Sequence, residues 1–519
     1  MTASAVAALF SAGCAQLPAA PAAQLDRARI AEIDGAINAV IADRRMPGAL
    51  FHLERNGDSY ERAYGRLSYD ADAAPVDTGT LFDAASLTKI LATAPSVLLL
   101  AEQGKIDLEA PLSRYFPECG GKGKDGMTIR HLLTHSSGLP AGLAAKPAWE
   151  GQAAAHALAC AKDVTDKPGT AFRYSDINYI LLGQLVQLVS GMPLDQFAQR
   201  HIFTPLGMTD TGFLPLARFG AARIAPTHVS PLLDDDKALH PGLAHGAVLQ
   251  GVVHDPTARR MGGVAGSAGV FTTTRDVARF ARMLLAGGAL DGVRILGADS
   301  VRLMTTVQSP AGVAQTRGMG MDIDSPFATR PRGALFPVGS YGHTGFTGCI
   351  LWIEPSSHTF YVLLSNRVYP DDKSNILPLY DRLGTLAAQS VLGVDFPAPE
   401  ADYKQIGRLI YGSTRLEGEL AAMMQSMARS DAERAQTYEH DLALRAAGAA
   451  AMFDRLALDA GTKAEFKALM DKAAGLGVHG GRQAQTLLAM SPGVLAARNA
   501  DLAAVQAALP RFSAMAAGR

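Results

Sequence analysis

Strand-like segments stand at both ends of one long stretch of this chain, and helix-rich sequence separates them. Residues 48–66 alternate apolar and polar side chains around Asn56-Gly57-Asp58, which predicts a hairpin of two antiparallel strands. Strand-like runs return at about 317–323, 347–354 and 358–365, and a helical pattern follows over 373–393. The order predicts an α/β fold in which one antiparallel sheet, flanked by helices, is interrupted by an all-helical insertion. A functional site is expected at the seam.

The tetrapeptide Ser86-Leu87-Thr88-Lys89 opens an apolar stretch with good helix formers, in which Pro95 is expected to introduce a kink. Residues three apart on a helix are neighbours, so Ser86 and Lys89 are expected to share one helical face. A lysine whose charge is disfavoured by burial or by a second cation can activate a serine as a nucleophile. An exposed serine beside a solvated lysine, or a serine that only caps the helix, fits this spacing equally well.

Two further motifs follow in order along the chain. Tyr174-Ser175-Asp176 lies within the helix-rich part, and His343-Thr344-Gly345 stands among the late strand-like runs. Together with the Ser-x-x-Lys motif, they resemble the signature of the serine β-lactamase and penicillin-binding-protein superfamily. The amino-acid sequences of residues 127–140, 201–213, 265–285 and 342–355 resemble those of the superfamily's class C β-lactamase-like branch. The segment Val253-His254-Asp255-Pro256 looks most like the corresponding segment of the penicillin-binding protein 4B group. The resemblance covers about residues 30 to 395.

The resemblance implies a role for each catalytic position. Ser86 would be the nucleophile, Lys89 the proton acceptor and relay, and Tyr174 the partner base that exchanges the proton with Ser86 and the leaving group. The backbone N–H groups of Ser86 and Phe346 would form the oxyanion hole. Neither a cofactor nor a metal is implied.

On the substrate-binding side the chain departs from the family pattern at two positions. Asp176 takes the place usually held by Asn, and an ionised carboxylate accepts hydrogen bonds but cannot donate them. Asn178 is the nearby amide that could substitute for it. His343, followed by Thr344 and Gly345 on the pocket-lining strand, takes the place often held by Lys. Its ordinary pKa of about 6.5 predicts a weaker hold on a carboxylate at neutral pH, strengthened as His343 is protonated below about pH 6.5.

The function implied is a serine hydrolase that acts through a covalent acyl-Ser86 intermediate. The first expectation is a D-alanyl-D-alanine carboxypeptidase or a related hydrolase of D-amino-acid peptides, with peptidoglycan stem peptides as substrates. A carboxylesterase on small acyl esters remains open, because Asp176 and His343 leave amide and carboxylate recognition uncertain. A penicillin-binding or interaction protein with little turnover is the third alternative. The net charge of −1 favours neither nucleic acid nor an anionic membrane as a partner.

Competing motifs are weaker. The sequence has no Gly-x-Ser-x-Gly elbow, and Gly121-x-Gly123-x-x-Gly126 reads as a mobile surface loop because no buried strand precedes it. His131 and His135 are expected to be a structural pair on one helical face rather than metal ligands. The loosely clustered His240, His245 and His254-Asp255 are expected to line the pocket or, less readily, to bind a metal. The four cysteines, Cys14, Cys119, Cys160 and Cys349, show neither metal spacing nor the density of a disulfide scaffold.

Composition divides the chain into three parts. Residues 1–24 are apolar and uncharged, which predicts either an export segment or a disordered leader. A signal or lipoprotein leader, with Cys14 as the candidate for a lipid anchor, would make the protein exported, periplasmic or membrane-anchored. No segment reaches the ~18–20 apolar residues of a spanning helix. Residues 25–396 form the predicted hydrolase domain. Residues 400–519 are Ala-rich, with capping patterns such as Thr462-x-x-Glu465, and predict a separate helical domain.

Overall fold

The computed structural model describes residues 23–229, 247–313, 315–325, 328–394, 396, 416, 418–430, 442–474, 476 and 492–517. At its centre lies an antiparallel sheet of seven strands. In chain order they are β1 Gly48–Arg55, β2 Asp58–Gly65, β3 Thr316–Arg317, β4 Asp322–Asp324, β5 Tyr341–Gly345, β6 Cys349–Glu354 and β7 Thr359–Ser365. Their spatial order is β2-β1-β7-β6-β5-β4-β3, so the hairpin pairs with the last strand of the sheet. The predicted α/β fold class is confirmed.

Helices cover both faces of this sheet and fill the chain between β2 and β3. The first five are α1 Arg27–Ala42, α2 Ala94–Glu102, α3 Ile129–Leu133, α4 Gly151–Ala161 and α5 Asp176–Ser190. Further helices are Leu194–Ala198, Pro256–Arg260, Thr274–Leu285, Ala298–Thr305, Thr329–Arg332, Leu377–Gln389, Leu442–Asp454, Ala460–Ala474 and Pro492–Ala517. Residues 418–427 are also helical.

The hairpin predicted over residues 48–66 is present. Asn56 and Gly57 have φ angles of 47° and 85°, which is the pattern of a type I′ turn between Arg55 and Asp58. The predicted strand over 317–323 is instead two short strands, β3 and β4. The chain reverses between them, and Gly320 sits at the turn with a φ of 98°.

Residues of the central strands alternate between two apolar cores because successive side chains of a strand point to opposite faces. Leu50 of β1 and Leu351 of β6 belong to the core shared with the helical insertion. Phe51 and Trp352, the next residue on each strand, belong to a second core formed with α1 and the helix Leu377–Gln389. Burial on both faces explains why β1 and β7 are buried along their whole length.

The spacing of Ser86 and Lys89 predicted that they lie on one regular α-helix. The structure has three different helical segments there instead. Residues Ala85–Leu87 form a 3₁₀ turn, Lys89–Thr93 a π-helical turn, and α2 starts only at Ala94, with Pro95 in its first turn. Because proline has no N–H to donate to the preceding turn, a regular ladder cannot run through this point. The helical run Ala85–Glu102 is long and apolar enough to cross a membrane, contrary to the expectation from sequence. It is, however, 78% buried inside the protein, as a core helix is.

The carboxy-terminal helices have an apolar core of their own. Every buried residue of that cluster, among them Phe453, Phe466 and Phe512, lies at or beyond Leu416. Thr462 is not the residue that caps its helix, although the sequence pattern predicted that it would be. The helix begins at Ala460, and Asp459 is the residue whose carboxylate accepts from the backbone N–H of Thr462, at 2.9 Å. A separate domain over 400–519 stays a prediction.

Candidate active site

Ser86 lies at the seam between the sheet and the helical insertion, on a turn that is fixed from several sides. Ala85 has a φ of 47°, a conformation that alanine rarely adopts and that tertiary contacts must therefore hold. The Asp83 carboxylate accepts from the backbone N–H groups of Ala85, at 2.8 Å, and His254, at 2.7 Å. Burial raises the pKa of Asp83 to about 6, although both of these backbone hydrogen bonds favour its charged form.

Lys89 is fully buried beneath this turn, and its ammonium group contacts four groups. Nζ donates to Ser86 Oγ at 3.1 Å and to the Ser267 carbonyl oxygen at 2.9 Å. Asp176 Oδ1 is 2.7 Å from Nζ in an ion pair, and the Tyr174 ring centroid is 5.0 Å away. The structure thus brings together Ser86, Lys89 and Tyr174, which lie far apart in sequence.

The charge state of Lys89 follows from its burial and its neighbours. Burial disfavours the ammonium form, but the negative charge of Asp176 and the contact with Tyr174 outweigh it, so the pKa of Lys89 is raised above its ordinary value. The charged form of Lys89 is therefore favoured, and its role as proton acceptor and relay stays a prediction. The charge is favoured because of Asp176, a carboxylate where the family pattern has an uncharged amide.

Tyr174 immediately precedes α5, and His135 holds the backbone on either side of it. The Ser175 N–H donates to His135 Nδ1 at 3.1 Å, and the Arg173 N–H donates to the His135 carbonyl oxygen at 2.8 Å. The imidazole ring also lies 4.4 Å from the Tyr174 ring, between centroids. His135 is fully buried, and burial together with the charges of Arg317 and Lys89 lowers its pKa well below the usual value. His135 is thus a neutral, buried side chain that packs against the Tyr174 ring and fixes the backbone beside it.

The sequence-based assignment of His131 and His135 as a pair on one helical face is wrong. Helix α3 ends at Leu133, and His135 has a φ of 55°, outside the helical region. His131 instead completes a capping box with Thr128 at the start of α3. The support of Tyr174 by His135 was missed because it depends on where the helix ends.

Asn178 is not brought to the cavity. Its side chain is fully buried, with Oδ1 accepting from Ser137 Oγ at 2.6 Å and Nδ2 at 3.3 Å from His135 Nδ1. Asn178 lies two positions after Asp176 on α5, about half a turn further, and therefore on the opposite, core-facing side. Asn178 therefore does not take the substrate-binding place considered for it.

The His-Thr-Gly motif forms the end of β5, which runs alongside the Ser86 turn. Gly345 is required there by contact, since a Cβ atom would lie 2.6 Å from the Ala84 carbonyl oxygen. His343, Thr344, Gly345 and Phe346 all line the same cavity as Ser86. Phe346, expected as an oxyanion donor through its backbone, is 52% exposed, and its ring lies between His254 and the guanidinium of Arg367, which is 4.4 Å from the ring centroid.

His343 is neutral over the range in which it was expected to titrate. It is 2% exposed, and burial and the charges of Arg317 and Lys89 lower its pKa well below the ordinary value. Nδ1 lies 2.7 Å from the Thr344 carbonyl oxygen, which can only accept, so Nδ1 carries the proton. Nε2, which has no hydrogen-bond partner among the described residues, then offers a lone pair. The expected protonation near pH 6.5 is wrong because the histidine is buried beside two cations.

The cavity at the seam has a volume of about 700 Å³. Side chains not anticipated as a set from the sequence complete its wall: Pro256, Asp322, Arg330, Arg367, Asp372, Ile376, Leu377 and Tyr380. Asp322 forms an ion pair with the fully buried Arg317 behind the wall. No local pattern marks these residues, since they come together from separate loops and strands.

His254 and Asp255 line this cavity, as one reading of the sequence predicted. Burial raises the pKa of Asp255, and the neighbouring charge of Asp176 raises it further. Burial lowers the pKa of His254 to about 3. His240, His245 and Cys14 lie outside the described residues.

A seven-stranded antiparallel sheet, a helical insertion and a Ser-Lys-Tyr cluster at their seam, with the lysine buried, define a class of serine-dependent acyl-transfer proteins. The family model described as Beta-lactamase matches residues 33–385. The chain belongs to the Beta-lactamase family.

Relatives and solved structures agree with this assignment. A protein of Escherichia coli (strain K12) named "Putative D-alanyl-D-alanine carboxypeptidase" is 34% identical over 344 residues, covering 61% of this chain and 77% of that relative. The structure of EstCE1, a hydrolase with promiscuous acyltransferase activity, has a TM-score of 0.56 at 22% identity and covers 70% of this chain and 99% of its own. The D-amino acid amidase of Ochrobactrum anthropi SV3 has a TM-score of 0.53 at 21% identity, covering 70% and 99%. These two structures share the fold.

Proposed function

We propose that the protein is a hydrolase that forms a covalent acyl intermediate on Ser86. The observation that supports this most directly is the hydrogen bond from Lys89 Nζ to Ser86 Oγ, at 3.1 Å, on the wall of a cavity that also holds Tyr174. A nucleophile and its activating groups within hydrogen-bond reach of one another are the geometric requirement for such chemistry.

In the proposed mechanism Lys89 acts in its charged form. Because its N–H donates to Ser86 Oγ, the Ser86 O–H is left to donate elsewhere, and Tyr174 is the group that accepts its proton. The positive charge of Lys89, 5.0 Å from the Tyr174 ring, stabilises the negative charge that Tyr174 carries as a base. As Ser86 Oγ bonds to the substrate carbonyl carbon, the N–H groups of Ser86 and Phe346 receive the developing oxyanion.

The remaining steps return the same groups to their starting state. Collapse of the tetrahedral intermediate breaks the bond to the leaving group, which takes the proton held by Tyr174. A water molecule then gives its proton to Tyr174 and attacks the acyl-Ser86 carbonyl. The second collapse releases the acid and returns the proton to Ser86 Oγ.

For the substrate, we propose D-alanyl-D-alanine peptides of the peptidoglycan type, with the protein acting as a carboxypeptidase outside the cytoplasm. The name of the Escherichia coli relative supports this proposal. One observation favours the second candidate, a carboxylesterase on small acyl esters. His343, neutral and with only a lone pair at Nε2, cannot supply the positive charge or the hydrogen-bond donor that a substrate carboxylate requires.

The experiment that separates these candidates compares three substrates on one preparation. p-Nitrophenyl acetate reports esterase activity, nitrocefin reports β-lactam turnover, and an acyl-D-Ala-D-Ala peptide reports carboxypeptidase activity. Release of D-alanine at a kcat/KM above that for the ester supports the carboxypeptidase. Ester turnover without D-alanine release moves the carboxylesterase ahead, and no turnover of any of them contradicts the hydrolase proposal.

Replacing His343 tests the recognition step. The ratio of kcat/KM for the D-Ala-D-Ala peptide to that for p-nitrophenyl acetate is expected to be flat from pH 5.5 to 8 in the wild type, because His343 stays neutral throughout. His343→Lys is expected to raise the ratio about 10- to 100-fold at pH 6.5, since a hydrogen bond to a charged group contributes about 1.5–3 kcal/mol. His343→Gln, which adds no charge, is the control. A wild-type ratio that rises below pH 6.5 would show that His343 titrates in this range.

Asp176→Asn is expected to lower the pKa of Lys89, because it removes the carboxylate 2.7 Å from Nζ. An opposite charge this close shifts a pKa by about 1–3 units. The alkaline limb of the kcat/KM profile, where Lys89 loses its proton, should therefore move to lower pH by about that amount. The profile is measured with the substrate that the wild type turns over fastest, and Asp372→Asn, a cavity residue not paired with Lys89, is the control. An unmoved limb in Asp176→Asn would argue against a charged Lys89.

A further inference from the structure

A second cluster of chemistry-bearing side chains lies outside the cavity, where the 3₁₀ turn Pro117–Cys119 meets α4. The two sulfur atoms of Cys119 and Cys160 and one ring nitrogen of His156 all lie within 4.8 Å of one another. Glu118 Oε1 is 2.6 Å from His156 Nε2, and Cys160 Sγ is 3.5 Å from the same nitrogen. Cys119 and Cys160 are joined in a disulfide. Neither this disulfide nor this cluster was predicted from the cysteine spacing.

The orientation of His156 is set by a second layer of hydrogen bonds. Gln184 Nε2 donates to the Gln152 carbonyl oxygen at 3.0 Å, which turns Gln184 Oε1 toward His156 Nδ1, at 2.8 Å. Since the amide oxygen accepts, Nδ1 carries a proton, and Nε2 is the atom presented to the sulfurs and to Glu118. Metal-binding histidines are held in this way, with the second ring nitrogen bonded to an oxygen acceptor.

The cluster requires a positive charge at Nε2. Glu118 Oε1 lies 2.6 Å from this nitrogen, so in the disulfide form a proton lies between the two atoms and joins His156 to Glu118. Reduction of the disulfide adds two sulfur ligands at the same place. Two thiolates and a carboxylate around one imidazole nitrogen then form a ligand set that suits a divalent cation better than a proton.

The burial of the two cysteines is typical of a structural metal site in which the protein supplies all four ligands. Cys119 and Cys160 are 2% and 5% exposed, while Glu118 is exposed and lies on the solvent side of the cluster, where an ion can enter. Two sulfurs, one nitrogen and one carboxylate oxygen make a four-ligand set of the composition that Zn²⁺ binds tetrahedrally.

We propose that the reduced chain binds one Zn²⁺ through Cys119, Cys160 and His156, with Glu118 as the fourth ligand, and that the disulfide is the metal-free alternative of the same site. A dithiol reductant converts the disulfide to two thiols and becomes a cyclic disulfide itself. Zn²⁺ then displaces the two thiol protons and the Nε2 proton. Oxidation by another disulfide takes two electrons from the thiolates and releases the ion.

Both states join the Pro117–Cys119 turn to α4, but they belong to different compartments. Disulfides persist in oxidising compartments, whereas thiols and their metal complexes are kept in the reducing cytoplasm. The site also contacts α5 through Gln184, and α5 begins at Asp176 in the cavity. The connection between the two sites is thus a single helix.

The test uses the full chain carrying Cys14→Ser and Cys349→Ser, so that only the proposed pair of thiols remains. After anaerobic reduction with a phosphine, Co²⁺ is titrated in as a probe, followed by Zn²⁺. We expect one equivalent of Co²⁺ with a thiolate-to-cobalt charge-transfer band that Zn²⁺ removes, and no binding to the oxidised chain. His156→Ala is expected to weaken binding about 100-fold or more and Gln184→Leu about tenfold, because loss of an orienting residue alone costs about 10- to 100-fold.

Circular dichroism on each variant establishes that the chain is folded, and His131→Ala is the matched control histidine. A reduced, folded chain without the band would overturn the proposal. So would a band of unchanged affinity in both His156→Ala and Glu118→Gln, since the cysteines would then bind the ion without the proposed partners. None of these readouts depends on catalysis, so the test of the metal site is independent of the tests of the proposed hydrolase activity.

Discussion

Ser86→Ala is expected to abolish turnover of every substrate of this protein, with kcat falling about 10⁴-fold or more. Ser86 supplies the oxygen that bonds to the substrate, and its Oγ is the side-chain hydroxyl oxygen to which Lys89 Nζ donates, at 3.1 Å. The measurement is intact-mass spectrometry after treatment with a fluorophosphonate, together with steady-state kinetics. We expect one adduct on the wild type, located on the peptide that contains Ser86, and none on Ser86→Ala.

A second serine of the same cavity provides the control. Ser374 lines the cavity, and its hydroxyl donates to the Arg45 carbonyl oxygen instead of facing Lys89. Ser374→Ala should keep the adduct. Labelling of Ser86→Ala to the same extent as the wild type would place the nucleophile elsewhere and refute the acyl-Ser86 proposal.

Tyr174→Phe is expected to give the second largest loss. Removing a positioned acid–base group costs about 10²- to 10⁴-fold in rate, and the loss should appear in kcat with KM little changed. The aromatic ring remains, so its contact with His135 and the fold around it are retained. The measurement is kcat and KM for the best substrate, with the free energy of unfolding from chemical denaturation as a check on the fold.

Tyr179 is the matched control for this prediction. It is also fully buried, with its ring 5.6 Å from Lys89 Nζ, but its hydroxyl donates to the Leu133 carbonyl oxygen at 3.0 Å. Tyr179→Phe should lower the free energy of unfolding by about 1 kcal/mol and reduce kcat less than tenfold. Equal losses of kcat in the two variants would mean that Tyr174 contributes through packing rather than as a base.

Local patterns in the sequence predicted several features of the fold. Asn56-Gly57 predicted the hairpin turn because few residues adopt two successive positive φ angles, and the alternation of apolar and polar residues over 48–66 predicted the two strands beside it. The spacing of Ser86 and Lys89 predicted their contact, which survives the change from an α-helix to a 3₁₀ and π-helical turn. These inferences succeeded because they concern residues a few positions apart, where backbone geometry alone sets the distance.

The charges and supports of the site could not be derived in this way. Lys89 is cationic because Asp176, 87 positions later by difference of residue numbers, lies 2.7 Å from it, and His343 is neutral because the fold buries it beside Lys89 and Arg317. A pKa depends on desolvation and on neighbouring charges, which no spacing rule reports.

His135 behind Tyr174 and the Cys119–Cys160 disulfide likewise join residues about 40 positions apart. The sequence by itself determined most elements of the sheet and pointed to Ser86 as the proposed nucleophile. The tertiary structure alone decided which groups are charged, which are neutral and which hold the others in place, because only packing sets those distances and the solvent around them.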